Sequence, residues 1–303
     1  MAKESTSVRV KVGDRQLKLT NVEKVLYPET GFTKGEVIDY YTRIAPVLLP
    51  HLAARPLTVK RYPNGVEGHH FFEKNAPSHT PDWVRTVTLP VPGSTMDRET
   101  IDFVVVQDLP TLVWLANLAA LELHTPQWAI GPRGGAHGAD LLVFDLDPGP
   151  PATIEQCCEV AVLLREALAV GGLTAYPKTS GSKGMQLSIP IEEAPGGATS
   201  SYAKRVADRL AAEHPRLIVS AMAKKLRPGK VFIDWSQNNA AKTTVSVYSL
   251  RARATPTASA PLTWEEVERG GRPSFTAPDV LDRVDDLGDL HAATLTDRAP
   301  LPS

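Results

Sequence analysis

Residues 141–149 read Leu-Leu-Val-Phe-Asp-Leu-Asp-Pro-Gly, an apolar run that enters an Asp-x-Asp and then a Pro-Gly pair. No other stretch limits the fold as much. A short apolar run bounded by turn residues predicts a buried strand that ends in a turn. Residues i and i+2 of a strand point the same way, so Asp145 and Asp147 project from one face and Leu146 from the other. Two carboxylates at a strand end can hold a divalent metal. The alternative is that Asp147 only starts the turn at Pro148-Gly149. The pair alone does not decide between them.

Upstream, residues 8–12 and 15–19 alternate around Gly13-Asp14, which predicts a hairpin. Thr33 and Glu36 form a capping box ahead of Val37, Tyr40, Tyr41, Ile44, Val47 and Leu48 at helical spacing. Lys34 takes the first helical position, where the helix dipole disfavours a cation by a few tenths of a kcal/mol. That is either surface variation or an anion site at which helix amides and an ammonium share one phosphate. Residues 57–61 predict a strand that runs into the turn Tyr62-Pro63-Asn64-Gly65. Strand alternation then puts Phe71 and Phe72 on opposite faces, so one belongs to the core and the other is open to stack on a base beside Lys60, Arg61 and Lys74. Burial of both is the alternative. Residues 101–106 predict a strand and 109–121 a helix, with Pro126 enforcing an extended exit. A lone histidine such as His124 is more often structural than catalytic. Residues 131–138, rich in glycine, predict a flexible loop.

Downstream, Thr153 and Gln156 form a second capping box, Cys157, Ala161, Leu164 and Leu168 make a buried stripe, and Gly171-Gly172 ends the helix. A strand over 173–178 opens into Thr179-Ser180-Gly181-Ser182-Lys183-Gly184, and a strand over 185–189 follows. Small residues around a lysine let backbone amides and an ammonium approach phosphate oxygens. The spacing is not the Walker pattern, and an ordinary Gly-Ser turn is the alternative. The basic stretch 224–230, which includes Arg227, feeds a second strand ending in a carboxylate, Asp234. A strand is predicted over 245–248, and Arg251 and Arg253 come after it. From residue 255 onward Pro, Ala and Thr dominate, and the acidic stretch 284–289 reads as peripheral.

Net charge is only −1, yet it is segregated: residues 1–75, 76–177, 178–253 and 254–303 carry +4, −8, +8 and −5. Two basic sections flank the acidic one that holds Asp145 and Asp147, which suits a surface gripping phosphates around a metal site. The two cysteines, Cys157 and Cys158, are adjacent, and no Cys-x-x-Cys occurs, which argues against structural zinc and a disulfide framework. The N-terminus has no apolar leader and no apolar run reaches membrane-spanning length. Together these point to a cytoplasmic protein without membrane contact.

Taken in order, the Asp-x-Asp at 145 and 147, Ser-Gly-Ser-Lys-Gly at 180–184 and the strand-end Asp234 resemble the archaeo-eukaryotic primase superfamily. Within it the chain is similar to the primase-polymerase domain of bacterial ligase D, the polymerase of non-homologous end joining. The resemblance runs from about residue 19 to 253. It rests also on Lys24-Val25-Leu26-Tyr27-Pro28, Lys60-Arg61 with Pro63-Asn64-Gly65, Phe71-Phe72-Glu73-Lys74 and residues 231–238.

That resemblance implies one α+β domain over residues 1–303, with a core at about 20–253 and a peripheral segment at 254–303. In the core a small N-terminal αβ module packs on a module like the RNA-recognition motif, and the active site lies in the cleft between two sheets. It implies template-directed addition of NTPs or dNTPs to a primer 3′ end, on gapped or broken DNA that carries a 5′-phosphate. Asp145, Asp147 and Asp234 would hold two divalent ions, Mn²⁺ or Mg²⁺. Ser180 and Lys183 would hold the triphosphate, with His124, Arg227 and Arg251 nearby. Lys24, Lys34 and Lys60, beside Arg61, would take the 5′-phosphate, and Phe71 and Phe72 would stack on template bases.

One position departs from the pattern. The family carries a histidine two residues after the second glycine of the 180–184 motif, and here Gln186 stands there. An amide donates hydrogen bonds but carries no charge, so nucleotide binding is expected to weaken. A catalytically weak end-binding or gap-binding module is therefore the second reading. An Asp-x-Asp phosphohydrolase is a third, which leaves the 180–184 loop and residues 24–28 unexplained. If 303 residues are the whole protein, a ligase and an end-binding protein would have to act in trans.

Overall fold

Leu142, Val143 and Phe144 are no more than 1 % exposed, and the sheet that buries them organises the rest of the molecule. The structure, a computed structural model, describes residues 6–91, 99–271 and 274–302. The first residues of the N-terminus read above as lacking a leader, 1–5, lie outside these. Strands β1 (Ser7–Val12) and β2 (Arg15–Thr20) form the expected hairpin. After β3 (Val25–Tyr27) and β4 (Phe32–Thr33), helix α1 (Lys34–Leu52) starts at the reciprocal Thr33 and Glu36 capping box. Its stripe of Val37, Tyr40, Tyr41, Ile44 and Leu48 is buried.

Strands β5 (Thr58–Arg61) and β6 (Phe71–Glu73) pair, and β7 (Thr86–Pro90) and β8 (Thr100–Val104) make a separate ribbon. Helix α2 (Leu109–Asn117) stops four residues short of its predicted end. Ala119 takes φ 57°, and the chain turns into strand β9 (Ala120–Thr125). Five of the six residues of β9 are buried, so the strand shows no polar alternation and its sequence continues the apolar run of the helix. Strand β10 (Trp128–Ile130) then pairs with β11 (Ala136–Pro148), so residues 136–138 of the predicted loop are strand.

Helix α3 (Ile154–Ala169) begins at the Thr153 and Gln156 box and buries its predicted stripe. Both cysteines are free thiols, buried in this helix. Strands β12 (Tyr176–Thr179) and β13 (Met185–Ala194) flank the 180–184 turn. Helix α4 (Ala198–Glu213), β14 (Ile218–Val219) and β15 (Val231–Asp234) follow. Strand β16 (Thr244–Val245) is shorter than predicted, and β17 (Leu250–Ala252), β18 (Pro256–Ala258), α5 (Trp264–Glu268), β19 (Phe275–Thr276) and α6 (Ala277–Leu287) complete the elements used below.

Two sheets matter for function. One has the order β12-β13-β11-β15-β14, with β10 also on β11, and only β14 and β15 run parallel. The other has the order β16-β9-β5-β6 and is antiparallel throughout. Helices α3 and α4 pack against β11, and α2 packs against β9, so the architecture is the expected α+β type. Tyr41 of α1 donates its hydroxyl to Leu121 O at 2.6 Å, which ties that helix to the second sheet.

The segment after residue 253 is packed into the molecule, not peripheral. Ala258, Ser259 and Ala260 are fully buried. Asp289 accepts from Tyr248 Oη at 2.7 Å and lies 2.9 Å from His51 Nε2 on α1. Composition misled here because small residues such as Ala and Ser fill a close-packed interior as readily as they populate loops. Among the described residues, no helix is long and apolar enough to cross a membrane.

Candidate active site

Strand pairing assembles the carboxylates. Strand β11 continues through Pro148, so Asp147 is a strand residue, not the start of a turn, and it faces one cleft with Asp145. Asp234 on β15 is the cross-strand partner of Asp145. Asp234 is 9 % exposed; its Oδ1 accepts from Ser236 N at 3.0 Å and Ser236 Oγ at 2.5 Å, and its Oδ2 from Gln237 Nε2 at 2.9 Å. The Asn238 side chain bonds both backbone groups of Val143, at 2.8 and 2.7 Å, and so clamps this turn to β11.

Crowding sets the electrostatics. Loss of solvation and then the Asp147 charge push the Asp145 carboxyl up to about 7, against the opposing hydrogen bond from Gln186. Loss of solvation and the Asp234 charge likewise raise Asp147. Like charges packed together either hold protons or bind a cation. All donors are oxygens, which suits a hard divalent ion. Among the described residues no group of three or more His, Cys, Asp or Glu side chains is placed to hold a metal ion, so the carboxylates that face the cleft do so as a pair. With both oxygens of Asp234 engaged by its own turn, Asp145 and Asp147 fit a divalent ion as an open site.

The cleft measures about 480 Å³, and His124, Ser180, Lys183, Gln186 and Arg251 line it together with Asp145 and Asp147. Ser180 N donates to Gly184 O at 2.9 Å and closes the turn between β12 and β13. A Cβ at Gly184 would collide with the Leu146 carbonyl, and Gly181 sits at φ 66° against Ala258, so neither place accepts a side chain. Lys183 is exposed on this turn, and Arg251 holds the turn by donating to Ser180 O at 3.1 Å. Gln186 lines the cleft, but both ends of its amide are taken: Lys178 Nζ donates to Oε1 at 2.7 Å, and Nε2 donates to Asp145 Oδ1 at 3.1 Å. Arg227 is not among the cleft-lining residues. Its guanidinium lies 3.6 Å from the Phe232 ring centre and donates to Met222 O at 2.9 Å.

His124 is positioned by a residue that sequence reading missed. Glu122 on β9 is 4 % exposed; its Oε2 lies 3.0 Å from His124 Nε2, and its Oε1 accepts from Ala252 N at 3.1 Å and lies 3.5 Å from Arg251 Nε. Burial alone would raise this carboxyl, but the His124 hydrogen bond and the Arg251 charge outweigh it and hold it at about 2. Burial lowers His124 in turn, against the pull of Glu122. The signal for Glu122 was a lone acid between Leu121 and Leu123, hidden because the predicted helix ran to residue 121 and the residues after it were read only as its exit. Lys178 and Asn238 were also missed as partners of the site, since their contacts to Gln186 and Val143 form only across strands, and Gln237 was missed because its bond to Asp234 depends on how the turn after β15 folds.

A second group lies on the other sheet and α1. Lys34 is 6 % exposed and donates to Thr20 Oγ1 at 3.2 Å. Burial first, then the Lys24 and Arg61 charges, lower its ammonium to about 8. Lys24 donates to Pro63 O at 2.6 Å and to Asn64 Oδ1 at 3.0 Å. Arg61, expected to contact DNA, is spent inside the protein on Glu73 at 3.0 Å and Leu118 O at 3.0 Å. Phe71 is half-buried under Arg61 and is not a core residue, whereas Phe72 is 59 % exposed, 5.7 Å from the His124 ring. Lys60 Nζ lies between Tyr62 and Phe72, 5.2 and 5.3 Å from their ring centres.

Residues 33–291 match the family described as LigD, primase-polymerase domain, so the match continues well beyond residue 253, where the resemblance was drawn to end. The chain is 45% identical over 278 residues to the multifunctional non-homologous end joining protein LigD of Mycolicibacterium smegmatis, covering 91% of this chain and 36% of that protein. It is 34% identical over 276 residues to the bifunctional non-homologous end joining protein LigD of Bacillus subtilis, covering 90% of this chain and 43% of that one. The chain thus spans well under half the length of these relatives. Among solved structures it is similar to the polymerase domain of Mycobacterium tuberculosis ligase D in complex with DNA, with TM-score 0.88 and 43% identity over 93% of this chain and 99% of that one. A match over most of the chain in sequence and in backbone leaves one conclusion: this chain belongs to the LigD primase-polymerase family, nucleotidyltransferases of the archaeo-eukaryotic primase type.

Proposed function

We propose that this chain is a metal-dependent, template-directed polymerase that adds NTPs or dNTPs to the 3′ end of a primer during gap filling or end joining. Its DNA is gapped or broken and carries a downstream 5′-phosphate, and a ligase and an end-binding protein complete the repair. The observation that carries this reading is one cleft of about 480 Å³ in which Asp145 and Asp147 face Ser180, Lys183 and Arg251. Acids that bind cations and bases that bind phosphate are both needed for a nucleoside triphosphate, and this cleft brings them together.

In this reading Asp145 and Asp147 would hold Mn²⁺ or Mg²⁺, and Asp234, the register partner of Asp145, would join them by giving up a hydrogen bond of its own turn. Such ions, when bound, lower the pKa of the attacking 3′-hydroxyl and neutralise the triphosphate. The Ser180 to Gly184 turn and Lys183 bind the triphosphate oxygens. Arg251, braced by Glu122, fixes that turn from behind, and His124 offers a neutral imidazole to the nucleotide. The primer 3′-hydroxyl gives up its proton to solvent, its oxygen forms a bond to the α-phosphorus, and the bond between the α-phosphorus and the bridging oxygen breaks to release pyrophosphate. Phe72 supplies an exposed aromatic face for a template base, and Lys24, Lys34 and Lys60 attract the 5′-phosphate. Gln186, the residue that suggested a vestigial site, keeps its hydrogen bond to Asp145 and so does not favour a pure binding module.

Primer extension on gapped DNA with a 5′-phosphate, with Mn²⁺ and Mg²⁺ compared, tests the reading. Wild type should extend the primer. Asp145→Ala should lose more than the roughly 10–100-fold typical of a residue that only supports a metal ligand. An inactive wild type, or a fully active Asp145→Ala, overturns it.

A further inference from the structure

We propose that Lys178 is a positioning residue of this active site, acting through Gln186 on Asp145. The inference rests on the metal role proposed for Asp145. Lys178, Gln186, Asp145 and Asp234 form one row across β12, β13, β11 and β15: each is the register partner of the next. Directly opposed residues of antiparallel strands present their side chains on one face, about 4.5–5.5 Å apart. The row therefore runs without a break from a buried lysine to the carboxylates.

Lys178 is 4 % exposed, and its Nζ donates to Gln186 Oε1 at 2.7 Å, Val245 O at 3.0 Å and Ser259 Oγ at 2.8 Å. Ser259 spends its own proton on Thr179 O at 2.8 Å, so toward Lys178 it accepts. Burial lowers Lys178 to about 7, with the Asp145 charge opposing; in the ammonium form, the three acceptors use all three of its N–H bonds. None is left for a substrate, which is why Lys178 positions and does not bind.

The amide of Gln186 has two orientations, distinguished only by its partners. Lys178 can only donate and Asp145, as a carboxylate, can only accept. Together they select the orientation in which Oε1 faces Lys178 and Nε2 holds Asp145 Oδ1 at 3.1 Å. Without Lys178 the amide loses the donor that anchors Oε1, and its grip on Asp145 Oδ1 is no longer fixed from the far end. The cationic group expected at position 186 is thus present one strand away and reaches Asp145 through the amide. A histidine at 186 could not add a second charge here, because its protonated ring would touch the Lys178 ammonium. Gln186→His alone should therefore fail to tighten nucleotide binding.

The test is Mn²⁺ affinity of the full chain, read from the electron paramagnetic resonance of free Mn²⁺, alongside primer-extension kinetics. Lys178→Met should weaken Mn²⁺ binding and kcat by about 10–100-fold, the range for residues that orient a metal ligand, with DNA affinity unchanged. The Lys178→Met/Gln186→Met double variant should be no worse than Gln186→Met, since two residues on one path are not additive. Ser259→Ala removes one anchor of the ammonium and should show the same Mn²⁺ effect in smaller measure, which keeps the test open if Lys178→Met does not fold. Unchanged Mn²⁺ affinity in Lys178→Met and Ser259→Ala, or additive losses in the double variant, overturns the inference while leaving the metal site standing. A wild type that binds no Mn²⁺ overturns the metal reading and this inference together.

Discussion

Phe72 and Lys34 show how differently two residues can serve the DNA contact proposed for them. Phe72 is 59 % exposed, so truncating it removes little from the folded state. A stacked base is worth about 1–3 kcal/mol, so Phe72→Ala should weaken binding to template-containing DNA by that amount and leave the melting temperature unchanged. Fluorescence anisotropy and thermal denaturation check the two halves. Lys34 carries an ammonium lowered to about 8 by burial and by the Lys24 and Arg61 charges. A bound phosphate favours the charged form, so binding above that pH must take up a proton. A terminal phosphate, with its second pKa near 6, is already a dianion there and adds no opposing change. The preference for 5′-phosphorylated over 5′-hydroxyl DNA should hold below about 8 and fall as pH rises through it, by at most about tenfold per unit. Lys34→Met should flatten the profile; competition binding across that range decides.

The turn between β12 and β13 is the element on which the proposed nucleotide binding depends, and its geometry is set by what it lacks. A methyl group at Gly184 meets the Leu146 carbonyl of β11. Gly184→Ala should cost about 1–3 kcal/mol of overpacking and raise the KM for the nucleotide, because the same shift moves Ser180 and Lys183. Chemical denaturation and incorporation kinetics measure both effects. Elements with local signals were legible: the capping boxes at Thr33 and Thr153 start α1 and α3 where the sequence places them. Strand β9 was not, because a strand covered on both faces loses the alternation that identifies it. That loss hid Glu122, and with it the support of His124 and Arg251.

For the whole molecule, the C-terminal segment is the decisive part of the packing. Ser259 and Thr257 bond the strand and turn at 179–181, while Asp289 joins His51 and Tyr248. Deleting everything after Arg253 should abolish cooperative unfolding, read by circular dichroism, and a retained sharp transition would contradict this packing. Residue types along the chain determine the strand carrying Asp145 and Asp147, the helix starts and the glycine-bearing turn, since each rests on period, caps or backbone freedom within a few residues. Only the tertiary structure decides that Asp234 pairs with Asp145, that Arg61 is spent on Glu73, that Arg227 lies over Phe232, and that Lys178 stands behind Gln186. These depend on strand order and register, which join residues far apart in the chain through contacts that no local pattern records.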